Sequence, residues 1–462
     1  MSDLIETFVD KNSVTYTYRQ KEDNQHNIFA KNTNIDIISV EIPDNICELN
    51  IPEEINGYVV KTISSNCIID GEDMITKITI PKTVRDILPH AFSNLPSLQE
   101  VYLNDGLLII GKSAFCNCPN LKSIHFPRTL KSIHSLAFSR DISLKEISLP
   151  KACLIVGEAA FAHCSGLESV SLNADSISSN LFSGCNNLKN VRVSSNLVHI
   201  CANAFDGCYS LEKLDLSKVL NLEYVHPEIF KSTNLKEIIL PENIYLFNTE
   251  LIGLLNSDSL ETIKVPKENK CFYVQDECLF ERIDGSDEVR FIKFPAQKRV
   301  SNFVLPDNVV DIHNMAFANA KFLESISMSN VKYCGYYAFA NCENLKDIKI
   351  KDESLTCIPG SFVCGCKSIK TFKIPKGCTA IGLRSFEGAE SLSRLYIPST
   401  VETIYDNKFI KQFNKDIVFV VDKDSFIEKY LKKNKYDVKI LYSHSELDNF
   451  IKNISLNTDK EI

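Results

Sequence analysis

The 462-residue chain has no tryptophan, no excess of basic residues and no long apolar segment. Its formal net charge of −8 argues against a dedicated binder of nucleic acid or anionic membranes, which normally presents a basic surface. Because no apolar run reaches about 18 residues, we expect no transmembrane helix. The segment from Met1 to Phe8 has neither the basic nor the apolar part of a secretory signal, so we predict a cytoplasmic protein.

Motifs that bind phosphate or carry catalysis are also missing from the sequence. We find no G-x-x-x-x-G-K-S/T, G-x-S-x-G, H-E-x-x-H or G-x-G-x-x-G. His163 and Cys164 are the most suggestive pair for nucleophilic catalysis, but the repeat described below directs Cys164 into the core. We therefore predict that the chain is not an enzyme and requires no metal and no cofactor.

A phrase of about 23 residues recurs along most of the chain. It reads Leu-x-x-Ile-x-Leu-Pro, then Val-x-x-Ile, then Ala-Phe-x-x-Cys, and one copy runs from Leu121 through Ile133 to Phe138. The anchor phenylalanines are Phe92, Phe115, Phe138, Phe161, Phe182, Phe205, Phe230, Phe317, Phe339, Phe362 and Phe386. A unit this short cannot bury its own apolar face, so successive copies must stack as a solenoid.

Within each repeat, alternating residues predict a half-buried strand. Ile124 and Phe126 should point inward and His125 outward, and the following Pro127 marks the end of the strand. We place the Ala-Phe pair on a short helical turn, where phenylalanines from successive coils stack as an aromatic spine.

This pattern resembles the BspA-type leucine-rich repeat family over roughly residues 49 to 441. The resemblance implies a mainly-β repeat solenoid with short helical turns, a curved right-handed leucine-rich-repeat stack with a parallel sheet on its concave face. We count about 14 coils in this sequence. Members of the family are commonly cell-surface or host-interaction proteins that act by binding.

The rest of the chain is divided around this repeat. We predict an N-terminal β-hairpin cap over 1–48, the solenoid over 49–421 with a hairpin insertion at 266–304, a C-terminal cap helix and strand over 422–442, and a helical tail over 443–462. Asp424 is the predicted N-cap of the cap helix. The insertion or the tail is an alternative contact site for a partner.

The 17 cysteines follow the repeat. Cys118, Cys164, Cys185, Cys208 and Cys342 lie three residues after an anchor phenylalanine, and Cys366 lies four after it. We interpret them as reduced core residues, since the total is odd and no signal is present. Alternatively, neighbouring coils would bring such thiols within disulfide range in an oxidising compartment. The pairs Cys116/Cys118 and Cys364/Cys366 point their thiols apart, which argues against metal.

Without a catalytic site, the concave face is the predicted functional surface. We predict that it contacts another protein through Tyr102, His125, Arg192, Lys213, Lys264, Lys349, Lys373, Arg394 and Tyr396. Tyrosine and arginine are the expected energetic anchors because tryptophan is absent. Two alternatives stay open: a cell-surface adhesin exported by a non-standard route, and a glycan-binding or glycan-cleaving β-helix.

Overall fold

The computed structural model describes residues 4–20, 34–230, 232–244, 255–433 and 439–442. The chain divides into two compact units, Met1–Ser259 with Lys264–Glu268, and Leu260–Ile263 with Asn269–Ile462. Within these units the repeat forms mainly-β solenoid coils, about 16 turns in all, with almost no helix among the described residues. The predicted fold class is confirmed, and the predicted number of about 14 coils was slightly low.

Each coil begins with a strand whose central residue is buried and whose neighbours face outward. We call these strands the first strand row. In the first unit they are Glu48–Asn50, Lys77–Ile80, Glu100–Leu103, Ser123–His125, Glu146–Ser148, Ser169–Ser171, Asn190–Arg192, Lys213–Asp215 and Glu237–Ile239. In the second unit they are Asn302–Val304, Ser325–Met328, Asp347–Ile350, Thr371–Lys373, Arg394–Ile397, Val418–Val421 and Lys439–Tyr442. Thr262–Lys264 lies where the two units divide. Among the described residues the row runs from Glu48 to Tyr442.

The Val-x-x-Ile step of the repeat forms a second strand row. Its strands in the first unit are Tyr58–Ile63, Asp86–Ile87, Ile109–Ile110, Ser132–Ile133, Ile155–Val156, Ser176–Ile177, His199–Ile200 and Tyr224–Val225. Those in the second unit are Val309–Ile312, Tyr333–Cys334, Cys357–Ile358, Ala380–Ile381 and Thr403–Ile404. Neighbouring strands that pair within a row are parallel, as in Ile110 beside Ile133. This second ladder closes each coil on another side of the core.

In the described coils the Ala-Phe segments form hydrogen-bonded turns and no regular helix. Residues two before and two after the phenylalanine usually have φ near +60°, which a helix does not allow. The backbone N–H groups at these two positions and at the phenylalanine donate hydrogen bonds to backbone carbonyls of the next coil. In one coil the donors are Ser113, Phe115 and Asn117, at 3.0, 2.8 and 2.8 Å from the carbonyls of Ser135, Ala137 and Ser139. The segment is therefore a third inter-coil ladder of hydrogen bonds.

The anchor phenylalanines form the predicted aromatic spine, with stacked rings from Phe92 to Phe230 in the first unit and as far as Phe339 in the second, where Phe362 meets Phe339 edge-on at 5.2 Å. In the first unit, ring centroids are 5.4 Å apart for Phe92–Phe115, Phe115–Phe138 and Phe138–Phe161, and the stack continues through Phe182, Phe205 and Phe230. In the second unit, Phe291 stacks on Phe317 at 4.6 Å and Phe317 on Phe339 at 4.9 Å. Since these rings fill the centre of the coils, they hold successive repeats in register.

Two segments outside the regular repeat add antiparallel strands. At the N-terminus, Ile5–Val9 pairs with Thr15–Gln20, which pairs with Asn34–Glu41, and Asn34–Glu41 joins the second strand row by parallel pairing with Tyr58–Ile63. Short strands Glu54–Ile55 and Ile68–Asp70 join the same sheet. Between residues 266 and 304, three strands pair antiparallel in chain order: Phe272–Gln275, Cys278–Arg282 and Val289–Lys293. Val289–Lys293 then pairs with Val309–Ile312 in parallel.

Near the C-terminus, a short 3₁₀ turn spans Phe409–Gln412 and an α-helix spans Phe426–Lys433. Ser425 Oγ accepts the N–H of Glu428 at 3.3 Å, and Glu428 in turn accepts the N–H of Asp424 at 2.6 Å. This reciprocal arrangement caps the helix with Ser425 rather than with the predicted Asp424. The predicted tail over 443–462 lies outside the described residues.

Candidate functional site

The strand face is the set of outward side chains of the first strand row. Parallel register places equivalent side chains side by side, as Tyr102 beside His125 and Ser169 beside Asn190. Adjacent strands lie about 4.8 Å apart. Each unit therefore presents a ladder of side chains close enough to be contacted together by one partner.

In the first unit, an aromatic pair marks one part of the strand face. The rings of Tyr102 and His125 stack with centroids 6.3 Å apart, and Lys77 Nζ lies 5.1 Å from the centroid of Tyr102. The Tyr102 hydroxyl donates to Glu100 at 3.0 Å. Tyr102 is 41% exposed, so an amphipathic ring with a polar tip is available to a partner.

Further along the same unit, predicted cations are paired with a carboxylate. Lys213 and Lys264 contact Glu237 at 2.8 and 2.9 Å. Hydrogen bonds from Lys213 and Lys264 lower the pKa of Glu237. Arg192 is exposed on its strand, two residues after the outward Asn190. The charges here form a mixed network, in which Glu237 neutralises part of the basic character that we predicted.

In the second unit, Lys349, Lys373 and Arg394 lie on three successive strands of the face. Lys349 Nζ lies 3.9 Å from Asp347, and Lys373 Nζ lies 3.1 Å from Asp352. Arg394 is exposed. This cluster combines cations with nearby carboxylates, with Lys349 exposed and Lys373 half-buried.

Tyr396 differs from the prediction, because its side chain is only 1% exposed. It lies beside Val420 in the strand register, and Val420 is also buried. Lys373 Nζ lies 6.0 Å from its ring centroid. Burial, with Asp422 and Asp352 nearby, raises the pKa of Tyr396 to about 12. The alternation of the strand predicted that Tyr396 lies on the strand face, but it could not show that neighbouring residues cover this position. Tyr396 is therefore not accessible to a partner.

The cysteines that follow the anchor phenylalanines line the core. Each of the six thiols is buried and donates to the backbone carbonyl of the phenylalanine in the preceding coil. The pairs are Cys118 to Phe92, Cys164 to Phe138, Cys185 to Phe161, Cys208 to Phe182, Cys342 to Phe317 and Cys366 to Phe339, at 3.0 to 3.4 Å. Burial raises the pKa of Cys164 well above its usual value, which disfavours the thiolate that nucleophilic catalysis with His163 would require.

Asp141 occupies the cysteine position of its coil and was overlooked in the sequence. It is 0% exposed and lies three residues after Phe138. One carboxyl oxygen accepts the N–H of Cys118 at 2.8 Å, and the other has no hydrogen-bond partner among the described residues. Burial raises the pKa of Asp141 well above its usual value. The available signal was a charged residue at a position of the phrase where cysteine is the most frequent residue.

Within the described part of the chain, no group of three or more His, Cys, Asp or Glu side chains has the geometry to hold a metal ion. Among the same residues, no helix combines the length and apolar character needed to cross a membrane.

A model of the BspA-type leucine-rich repeat region matches residues 61–177, 155–282 and 292–414 of the sequence, with six copies. These matches cover well over half of the chain. The chain belongs to the BspA-type leucine-rich repeat family. No curated protein matches the sequence significantly.

Several solved leucine-rich repeat structures are similar to this one in fold. A leucine-rich repeat protein from Bacteroides ovatus is 23% identical, with 95% of this chain and 100% of that chain covered and a TM-score of 0.53. A leucine-rich cell surface protein from Faecalibacterium prausnitzii is 23% identical, with 88% and 96% covered and a TM-score of 0.43. The pneumococcal vaccine antigen PcpA is 18% identical, with 95% and 99% covered and a TM-score of 0.44.

Proposed function

We propose that this leucine-rich repeat chain is a non-enzymatic scaffold that recognises another protein through its strand face. The observation that carries the proposal is the parallel register of the first strand row, which within each unit presents outward side chains from successive coils beside one another. Three inter-coil hydrogen-bond ladders and a stacked phenylalanine spine hold these side chains on rigid backbone. Binding should therefore involve many modest contacts and little change in shape.

The contact chemistry differs along the face. Tyr102 and His125 offer a stacked aromatic surface, whereas Lys213, Lys264 and Glu237 offer paired charges. In the second unit, Lys349, Lys373 and Arg394 suit an acidic segment of a partner. Lys349 and Lys373 already contact carboxylates. We therefore expect them to influence the specificity and the association rate of partner binding more than its affinity.

The triple variant Lys349→Glu, Lys373→Glu, Arg394→Glu should lose partner binding by at least about tenfold, because like charges would then face an acidic segment. The measurement is quantitative affinity capture from source cells, followed by titration of the identified partner. A matched variant, Lys408→Glu, Lys411→Glu, Lys415→Glu, makes the same change of charge at exposed positions outside the first strand row. It should bind like the wild type.

Two results would contradict the strand-face proposal. One is equal loss of binding in the control variant, which would indicate a general charge effect. The other is unchanged binding in the strand-face variant when circular dichroism shows that both variants are folded. Either outcome would direct the search to another face.

The compartment in which this binding occurs can be tested through the thiols. We expect the six cysteines that follow the anchor phenylalanines to be reduced in protein isolated from the source cell, because burial keeps their thiols away from oxidants and disfavours the thiolate. Mass spectrometry after rapid alkylation in denaturant measures their redox state. Disulfides between neighbouring coils, such as Cys164 with Cys185, would instead favour an exported adhesin.

A further inference from the structure

The strand Ile5–Val9 forms one edge of the 10-stranded sheet in the first unit. It pairs with Thr15–Gln20 on one side, and among the described residues no strand pairs with it on the other side. Three apolar side chains of this segment are exposed, Leu4 at 54%, Ile5 at 60% and Val9 at 58%. An exposed edge strand with apolar side chains is a template for pairing with another strand.

Hydrogen bonds at both ends of this strand pair fix which backbone groups face outward. The N–H of Gln20 donates to the carbonyl of Leu4 at 3.1 Å, and the N–H of Asp10 donates to the carbonyl of Val14 at 3.0 Å. Bonded and non-bonded pairs alternate along an antiparallel ladder, so every second residue from Leu4 to Asp10 faces the neighbouring strand. The register between these ends has no shift, so the alternation is unbroken.

The residues at the remaining positions are Ile5, Thr7 and Val9, and their backbone groups point away from the sheet. Within the described part of the chain, the N–H and C=O groups of these three residues have no hydrogen-bond partner. The edge therefore presents three donors and three acceptors in the arrangement that a further β-strand requires.

This edge has none of the features that usually prevent pairing between protein molecules. The segment Ile5–Val9 contains no lysine and no proline, and its register with the neighbouring strand has no bulge. Its one charged side chain, Glu6, accepts a hydrogen bond from the hydroxyl of Tyr18. Phe8 packs against Tyr16, with ring centroids 6.4 Å apart. The only carboxylate of the strand is thus held by its own sheet.

The sequence of the strand is complementary to itself when two copies pair antiparallel about Thr7. Ile5 of one copy then lies opposite Val9 of the other, and the outward backbone groups of both strands are all used, in about six hydrogen bonds. Glu6 lies opposite Phe8 of the other copy, so no like charges are directly opposed. Pairing centred on Glu6 would instead oppose two carboxylates. A second copy of this chain therefore satisfies the edge fully in one register.

We propose that two copies of this chain associate through antiparallel pairing of Ile5–Val9, centred on Thr7. Each copy contributes this one edge, so association stops at a closed dimer with two-fold symmetry. The contact is small compared with a standard protein interface, so the dimer forms and dissociates with protein concentration. It does not use the first strand row, and its test is independent of the function proposed above.

Sedimentation equilibrium of the full chain, from about 1 µM to about 200 µM, measures this association. We expect the average mass to rise with concentration from that of the monomer, 52.1 kDa, towards twice this value and no further. A wild type that stays monomeric over the whole range would overturn the proposal. Continued growth beyond the dimer would also overturn it.

Two double variants test the antiparallel register. In Ile5→Lys, Val9→Lys, each introduced lysine faces another lysine across the pair, so association should weaken by at least about tenfold. In Ile5→Lys, Val9→Glu, each introduced lysine faces a glutamate, so association should stay within about threefold of the wild type. Parallel pairing would oppose like charges in both variants. Equal loss or equal retention of association in the two variants would overturn the proposal.

Thr7→Pro tests the backbone hydrogen bonds. Proline removes an N–H that faces away from Thr15–Gln20, so the variant should fold, as circular dichroism would show, but should not dimerise. The matched control is Tyr209→Lys, Leu220→Lys, which changes side chains that are 60% and 50% exposed in the first unit and lie outside its strands. It should associate like the wild type.

Dimerisation of a folded Thr7→Pro variant would rule out pairing through this edge. Equal weakening in the control would show a general effect of added charge and would also count against it. If Thr7→Pro does not fold, the comparison of the two double variants decides, because their substitutions replace exposed side chains only.

Discussion

Replacing Phe138 with alanine should lower the free energy of unfolding by about 3–5 kcal/mol, the usual cost of truncating a buried phenylalanine. Its ring is fully buried between Phe115 and Phe161, with centroids 5.4 Å away on each side, and Phe126 meets it edge-on at 5.7 Å. The substitution therefore leaves a cavity in the middle of the spine and uncouples two neighbouring coils. Urea unfolding followed by circular dichroism measures the loss.

The control for this experiment is His125→Ala, in the preceding part of the same repeat. His125 is exposed on the strand face and contacts Tyr102 only through ring stacking at 6.3 Å. Its removal should change the free energy of unfolding by less than about 0.5 kcal/mol. Similar losses for the two variants would contradict the assignment of Phe138 to the interior and His125 to the surface.

Replacing Asp141 with asparagine should stabilise the protein at neutral and alkaline pH relative to low pH, because asparagine places no ionisable carboxyl in this buried site. The asparagine carbonyl can still accept the Cys118 N–H, and its amide carries no charge to bury. Burial raises the pKa of Asp141 in the folded protein. The stabilisation contributed by the neutral acid is therefore complete below its ordinary pKa and is lost as pH rises through the raised value.

Unfolding of both proteins at several values between about pH 4 and about pH 8 measures this dependence. The advantage of the asparagine variant should be smallest at low pH, where Asp141 is neutral in both folded and unfolded chains, and should grow as pH rises. Asp141→Cys, which restores the usual residue of this position, should show the same trend. An advantage that does not vary with pH, or a variant that is less stable at neutral pH, would contradict the burial of an ionisable carboxyl here.

The sequence predicted the interior of the fold well because the interior follows strict spacing. Alternation placed Ile124 inside and His125 outside, and the interval between anchors predicted the stack through Phe138. These features depend on contacts between identical positions of neighbouring repeats. Because one sequence contains many copies of each such contact, the spacing of the inward residues can be read from all coils together.

Features that depend on one copy, or on backbone dihedral angles, were not predictable in the same way. Two residues before the phenylalanine, positive φ occurs at residues as different as Leu136 and Ala159, so side-chain type gave no signal there. Two residues after it, Asn or Gly recurs, as in Asn117 and Gly207, and these residues favour positive φ. The burial of Tyr396 depends on what covers one strand, and the pairing of Lys213 with Glu237 depends on two particular rotamers. These features fix which parts of the strand face a partner can reach.

The third ladder has a consequence for how such a gene changes over generations. Its inter-coil hydrogen bonds join backbone N–H groups to backbone carbonyls, as from Phe115 to Ala137 and from Phe138 to Ala160. One coil can therefore pack against any neighbouring coil that has the same backbone conformation. Unequal recombination between copies that share the phrase adds or deletes whole coils in frame and leaves the remaining joints intact. The number of coils is then free to drift between lineages, while the outward residues of each coil diverge separately.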